Sequence, residues 1–370
     1  MPSWTKFWHR KEAILPQVKD AVVPNENLFS TEGEYGLKTM WDPEGAIVDI
    51  VFVHGLTGNR DTTWTYNDSV LWPRDLLPKD IPHARILTFG YDADVARFFS
   101  ITSSNTIRDH GKSFAQDLAM FRARTKTGDR PIIFVAHSLG GLVVEQAILI
   151  ARGSSQAHVK SLLDATVAIA FMGTPHLGSK KAEWGKQIAR FASLFRRVNR
   201  KIVAVLEPDS EMLANLQQEF HTLLEDRRKN QWKEVNIYCF YESIDVATIG
   251  KIVPDQSAIL PQYPNQSIQA DHSGMTKFKS RTDPGYVQVS GILWLWVQEI
   301  ENSRQSTASQ RQSLHESQQD RTNNIQRDEI AQRNKIGAAS PAESHRSSNF
   351  TFSSGNISVG RNFSIHHGAQ

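Results

Sequence analysis

Ser138 stands in the run Phe134-Val135-Ala136-His137-Ser138-Leu139-Gly140-Gly141. An apolar stretch, Pro131 to Ala136, leads into it, and an apolar helical pattern, Leu142 to Ala151, leads away. Strand, sharp turn, helix is the layout of a nucleophile elbow. The turn is so tight that the serine takes strained backbone angles and the residues two positions to either side must be small. Those neighbours are Ala136 and Gly140. Alanine replaces the usual glycine at the first, and a methyl group is still small. Such a turn lifts the hydroxyl off the sheet edge and aims the Leu139 N–H at a reacting carbonyl.

A serine nucleophile needs a base, and histidine titrates in the right range. A carboxylate must hold the imidazole tautomer and offset its developing charge. When the nucleophile sits on such an elbow, the chain order is serine, acid, histidine. Four histidines follow Ser138 before the tail: His158, His176, His221 and His272. His158 falls near the end of the elbow helix and His221 within a helical stripe, so both read as surface residues. His176 precedes any plausible acid strand. His272 comes after the last strong strand pattern and before the final apolar helix, and is the expected base. For the acid, Glu242 sits at the tip of Glu234–Tyr241 (E-V-N-I-Y-C-F-Y), where a triad acid belongs; Asp255 and Asp245 lie in the loops beyond and stay open as alternatives. A nucleophile of this kind implies no metal and no cofactor.

These residues need a frame. Ala46 to His54 is a buried strand pattern ending in His54-Gly55-Leu56-Thr57-Gly58, and glycines there let the backbone turn close to a ligand. The Leu56 N–H is expected to join that of Leu139 as the second oxyanion donor. Tyr35–Trp41, Ala84–Tyr91 and Ala165–Met172 read as further strands, and Trp72–Leu77 and Ile107–Thr125 as helices. Strands alternating with helices predict a mostly parallel sheet covered on both faces. Its site lies at the carboxyl ends of the strands, where His54, Ser138 and His176 fall. Lys186–Leu224 breaks the alternation as two apolar-striped helices, a helical cap over 184–228. The first is basic (Lys186, Arg190, Arg196, Arg197, Arg200, Lys201) and fits either an anionic membrane surface or a solvated face. Ile292–Ile300 closes a domain of residues 35–301 as an apolar helix.

The chain of 370 residues carries a net charge of +3, which gives no case for nucleic acid. One cysteine, Cys239, excludes a disulfide framework and points to a reducing, cytoplasmic setting. The N-terminal extension, 1–34, opens on an aromatic, basic cluster (Trp4, Phe7, Trp8) without the apolar core of a signal peptide. No run reaches the about 18 apolar residues of a membrane span.

With these motifs placed, the chain resembles lipase-like serine hydrolases of the α/β-hydrolase fold, common in fungi as effectors linked to NLR-type immune receptors. The resemblance is carried by V-D-I-V-F-V-H-G-L-T-G, W-P-R-D-L-L-P, A-R-I-L-T-F-G-Y-D, A-H-S-L-G-G-L-V-V, F-M-G-T-P-H-L-G-S, F-Y-E-S, I-V-P-D-Q-S-A and A-D-H-S-G-M-T-K-F, over about residues 36 to 300. It supports Ser138 and His272, favours Glu242 as the acid, and implies an esterase or lipase acting on an ester or lipid.

The tail changes character. Residues 302–348 are dominated by Ser, Gln, Arg, Asn and Glu, and are expected to form a disordered linker. Residues 349–370 differ again. Phe350 and Phe352 precede Asn356-Ile357-Ser358-Val359-Gly360-Arg361-Asn362-Phe363-Ser364-Ile365, in which N-I-S-V and N-F-S-I nearly repeat about Gly360-Arg361. A single short strand can pair with copies of itself in a cross-β stack. The run is similar to the RIP homotypic interaction motif and to the pseudopalindromic amyloid motif of fungal NLR-associated prion-like proteins. Serine between the first two apolar residues, in place of glutamine, suits the fungal version. The resemblance implies two partners, self in a fibril and a receptor bearing a matching motif, with membrane association once assembled.

Overall fold

The computed structural model describes residues 33–56, 58–93, 106–177, 180–194, 207–230, 234–247 and 249–337. Two compact units divide the chain, Met1–Ser306 and Thr307–Gln370.

The first unit is built on a seven-stranded sheet. Its strands are β1 (Gly36–Trp41), β2 (Val48–Val53), β5 (Ala84–Gly90), β6 (Ile132–His137), β7 (Thr166–Met172), β8 (Asn236–Glu242) and β9 (Asn265–Ile268). They lie in the order β1-β5-β2-β6-β7-β8-β9. β1 runs antiparallel to β5, and every other pair is parallel. A two-residue hairpin, β3 (Thr65–Tyr66) with β4 (Val70–Leu71), stands apart.

Both faces of the inner strands are buried, and the side-chain period of two divides them between two cores. Val51 and Val53 of β2 join Ile132, Phe134 and Ala136 of β6 on one face, while Val48, Ile50 and Phe52 join Ile133 and Val135 on the other. On the first face lie α3 (Thr106–Arg124), α4 (Gly140–Gly153) and α5 (Ala157–Ala165), with α6 (Lys181–Leu194) and α7 (Glu207–Lys229). The second face is filled by Trp64, Trp72 and Phe278 with Tyr286, Val289 and Leu293. Trp72 belongs to α1 (Trp72–Asp75), followed by α2 (Leu77–Asp80), and its indole N–H donates to the Thr276 carbonyl at 2.8 Å. Cys239 is fully buried within β8.

One charged cluster ties the lower ends of the strands. Asp49 of β2 accepts from Arg85 Nε and an Arg85 terminal nitrogen, each at 2.8 Å, and also pairs with Arg122 and, at 3.2 Å, Arg130. Arg122 further donates to the carbonyls of Gly128 and Arg130 at 2.8 and 2.6 Å. A buried carboxylate is tolerable only with such partners.

The last helix, α8 (Pro284–Gly337), corrects the expected disordered linker of 302–348 over residues 302–337; residues 338–348 lie outside the described residues. It is helical to Gly337, and the described side chains from Asn302 on are exposed. The physical reason lies in composition. Low hydrophobicity removes a core, but a helix closes its hydrogen bonds locally. No Gly or Pro interrupts 292–336, and Gln, Glu, Arg and Ala hold helical angles readily. Side chains one turn apart add support, as in Gln312 donating to Glu316 at 3.1 Å.

Candidate active site

Ser138 follows the last residue of β6 and has φ +54°, the left-handed region that an L-residue with a Cβ normally avoids. Its N–H donates to the Met172 carbonyl of β7 at 2.9 Å, which fixes the turn against the neighbouring strand. The small neighbours are required by contact. A Cβ on Gly140 would lie 2.2 Å from the His54 carbonyl oxygen and 2.7 Å from that of Val53. A Cβ on Gly55 would lie 2.6 Å from the Ser138 Cβ. Ala136 is fully buried.

His272 comes from the loop after β9, and its Nε2 lies 2.9 Å from Ser138 Oγ. Its Nδ1 lies 2.6 Å from Glu242 Oε2, at the end of β8. The tautomer follows: Nδ1–H donates to the carboxylate, and Nε2 is left to accept a hydrogen bond from the Ser138 hydroxyl. Glu242 is fully buried, and its other oxygen accepts the Val253 N–H at 3.1 Å. Of the three carboxylates left open by the sequence, only Glu242 touches His272. Asp255 pairs with Lys251 at 2.5 Å, and Asp245 is exposed.

Leu139 and Leu56 are both buried close to Ser138 in the chain or in space. Among the described residues, neither backbone N–H has an acceptor within the protein. His54 holds the second of these loops. Its Nδ1–H donates to the Gly55 carbonyl at 2.9 Å, its Nε2 accepts the Tyr91 N–H at 3.2 Å, and the Tyr91 hydroxyl donates to the His54 carbonyl at 2.8 Å. Burial holds this imidazole neutral, its pKa lowered to about 4.

His137 was not singled out by the sequence. Its Nε2–H donates to the His272 backbone carbonyl at 2.9 Å, so the residue before the serine fixes the loop that carries His272. Burial first, and the neighbouring His272 imidazole second, push its pKa well down and keep it neutral. Its only sequence signal is its place beside Ser138.

His176 sits away from the triad, in a buried group with Glu145 of α4, 3.5 Å from Nδ1. Gln217 of α7 donates to the other Glu145 oxygen at 2.5 Å. Burial works against a charged imidazole there, but Cys239 and Glu145 outweigh it and raise the His176 pKa to about 9. His158 is exposed on α5, and His221 lies half-buried on α7. Among the described residues, no group of three or more His, Cys, Asp or Glu side chains could hold a metal ion.

One cap helix, α6, lies against this site. Phe191 of α6 is buried, with its ring 6.0 Å from that of His272. Lys186 of the same helix is exposed. Arg196, Arg197, Arg200 and Lys201 lie outside the described residues, as do Trp4, Phe7 and Trp8. So do the assembly residues Phe350, Phe352, Asn356, Ile357, Val359, Gly360, Asn362, Phe363 and Ile365.

Residues 49–199 match a family described as "Putative serine esterase (DUF676)". The sheet order, the strained serine after β6 and the helices on both faces now stand together with that match. The domain has the α/β-hydrolase fold. Among curated proteins it is similar to Protein SERAC1 of Mus musculus, 30% identical over 48% of this chain and 28% of the relative. The Danio rerio protein of the same name is 29% identical over 62% of this chain and 36% of its own length. The chain thus spans about a third of the curated relatives it matches. Among solved structures, an α/β-hydrolase enzyme from a lagoon-sediment metagenome is 17% identical, with a TM-score of 0.39, over 74% of this chain and 99% of that one. The esterase PF2001 of Pyrococcus furiosus is 15% identical, with a TM-score of 0.38, over 77% and 96%. Within the described residues, no helix is long and apolar enough to cross a membrane.

Proposed function

We propose that the protein is a serine carboxylester hydrolase of the lipase-like kind, with Ser138 as nucleophile, His272 as base and Glu242 as its orienting acid. The reading rests on one observation: an unbroken relay from Ser138 Oγ to His272 Nε2 at 2.9 Å and from His272 Nδ1 to Glu242 at 2.6 Å. His272 takes the hydroxyl proton as Oγ attacks the ester carbonyl. Glu242 stabilises the imidazolium, and the Leu56 and Leu139 N–H groups receive the developing oxyanion. The imidazolium then protonates the leaving alcohol. Water, activated by the same histidine, releases the acyl group from Ser138.

The finer reading comes from the resemblance of the tail. The hydrolase is a cell-death or immune effector whose residues 349–370 stack in a cross-β fibril, templated by an NLR-type receptor with a matching motif. Clustering then brings many hydrolase domains to a lipid surface.

The test uses full-length protein, wild type and Ser138→Ala, assayed on short- and long-chain esters before and after seeding with a 349–370 peptide. Serine-dependent turnover that rises on seeding supports the whole reading. Turnover that ignores the seed removes the templating step and leaves the esterase. Fibrils without turnover in any state make the fold a scaffold and refute the enzyme.

A further inference from the structure

Two glutamines of the cap are buried against the hydrolase frame, Gln187 on α6 and Gln217 on α7. A buried amide must spend its donors and acceptor on specific partners. Gln217 donates to Glu145. Gln187 Nε2 donates to the Ile252 carbonyl at 2.8 Å. The N–H of the next residue, Val253, donates to Glu242 Oε1 at 3.1 Å. The carbonyl of Ile252 and the N–H of Val253 belong to one planar peptide group. The cap amide therefore holds one end of a rigid unit whose other end holds the triad carboxylate.

The surroundings leave this peptide with that task. Ile252 and Val253 are fully buried, so water cannot replace either bond. Glu242 has two oxygens to place: one faces His272, and the Val253 N–H fixes the other. A donor on the carbonyl side also polarises the peptide, which strengthens its N–H toward the carboxylate.

We propose that Gln187 is a positioning residue for the reaction, acting on Glu242 through the Ile252–Val253 peptide, so that the seat of the cap helix sets the alignment of the triad. The proposal rests on the reading of Ser138, His272 and Glu242 as a triad. It predicts that loss of the amide donor lowers kcat without changing KM, because the substrate contacts stay in place.

The test compares full-length wild type, Gln187→Met and Gln217→Met. Methionine keeps the length of the side chain and removes the donor. Two quantities are read: kcat and KM on a short-chain ester, and the far-downfield proton resonance of the His272 Nδ1–H held by Glu242. Gln187→Met should lower kcat about two- to tenfold, the scale of one neutral hydrogen bond. It should also displace or broaden the resonance. Gln217→Met, which loosens the cap elsewhere, should leave the resonance at its wild-type position whatever its melting temperature. An unchanged resonance in Gln187→Met overturns the proposal, as does the same displacement in both variants. Absence of turnover in the wild type would refute the esterase reading, while the resonance would still decide the role of Gln187.

Discussion

The strain at Ser138 can be weighed with two variants of one position. Both Ser138→Ala and Ser138→Gly remove the hydroxyl and its 2.9 Å contact with His272, so that loss cancels between them. They differ in the Cβ alone. Alanine keeps it at φ +54°. For an L-residue the left-handed region costs about 1–2 kcal/mol, which glycine does not bear. Glycine gives back about 0.5–1 kcal/mol through its greater freedom in the unfolded chain. The expected difference is about 0–1.5 kcal/mol in favour of Ser138→Gly, or up to about 6 °C in melting temperature for a domain of this size. Calorimetry of the two proteins side by side measures it, and neither should turn over ester. A glycine variant melting below the alanine variant would refute the reasoning, because the left-handed turn would then cost a Cβ less than glycine loses through its freedom in the unfolded chain.

Other perturbations separate the remaining assignments. Glu242→Gln should lower kcat by roughly 10³–10⁴-fold, the scale seen when a triad acid loses its charge, while Asp255→Asn should leave kcat within about twofold. Gly140→Ala places a methyl group against two backbone carbonyls and should destabilise the domain by about 1–3 kcal/mol, read by chemical denaturation. Asp49→Asn leaves three arginines without their carboxylate and should cost about 3–5 kcal/mol by the same measurement. For pH, His54 has a folded pKa of about 4 against 6.5 unfolded, so it contributes stability fully above pH 6.5 and loses it as pH falls toward 4. His176, raised to about 9, contributes fully below 6.5 and loses its part as pH rises toward 9. Denaturation midpoints should therefore fall on both sides of neutrality, and a curve flat from pH 4 to 9 would remove both assignments.

The features that were legible in the sequence are those written in local pattern. The runs at 48–53, 84–90, 132–137 and 166–172 are mainly apolar, broken only by Asp49, Arg85, Thr88, His137 and Thr166, as suits strands buried on both faces, and the elbow announces itself by serine among small residues. The acid stayed open because its identity depends on a loop path. Asp255 is nearer His272 in sequence, yet its side chain turns to Lys251. β9, with the polar sequence Asn265–Ile268, carries no strand signal and forms because β8 offers it an edge. His137 and Gln187 act through contacts 135 and 65 residues away, which no periodicity reveals. The helix after Asn302 was missed for the opposite reason. Low hydrophobicity rules out a core there, but backbone propensity decides the helix.

Cys239 is the only thiol in the chain, and it sits fully buried on β8, between β7 and β9. A thiol reagent can reach it only when the sheet comes apart. The rate at which the native protein is labelled, taken against that of the unfolded chain, is then an opening constant for the strand that ends in Glu242. The protein thus carries a built-in gauge of its own unfolding, one that needs no engineered probe and no knowledge of the substrate.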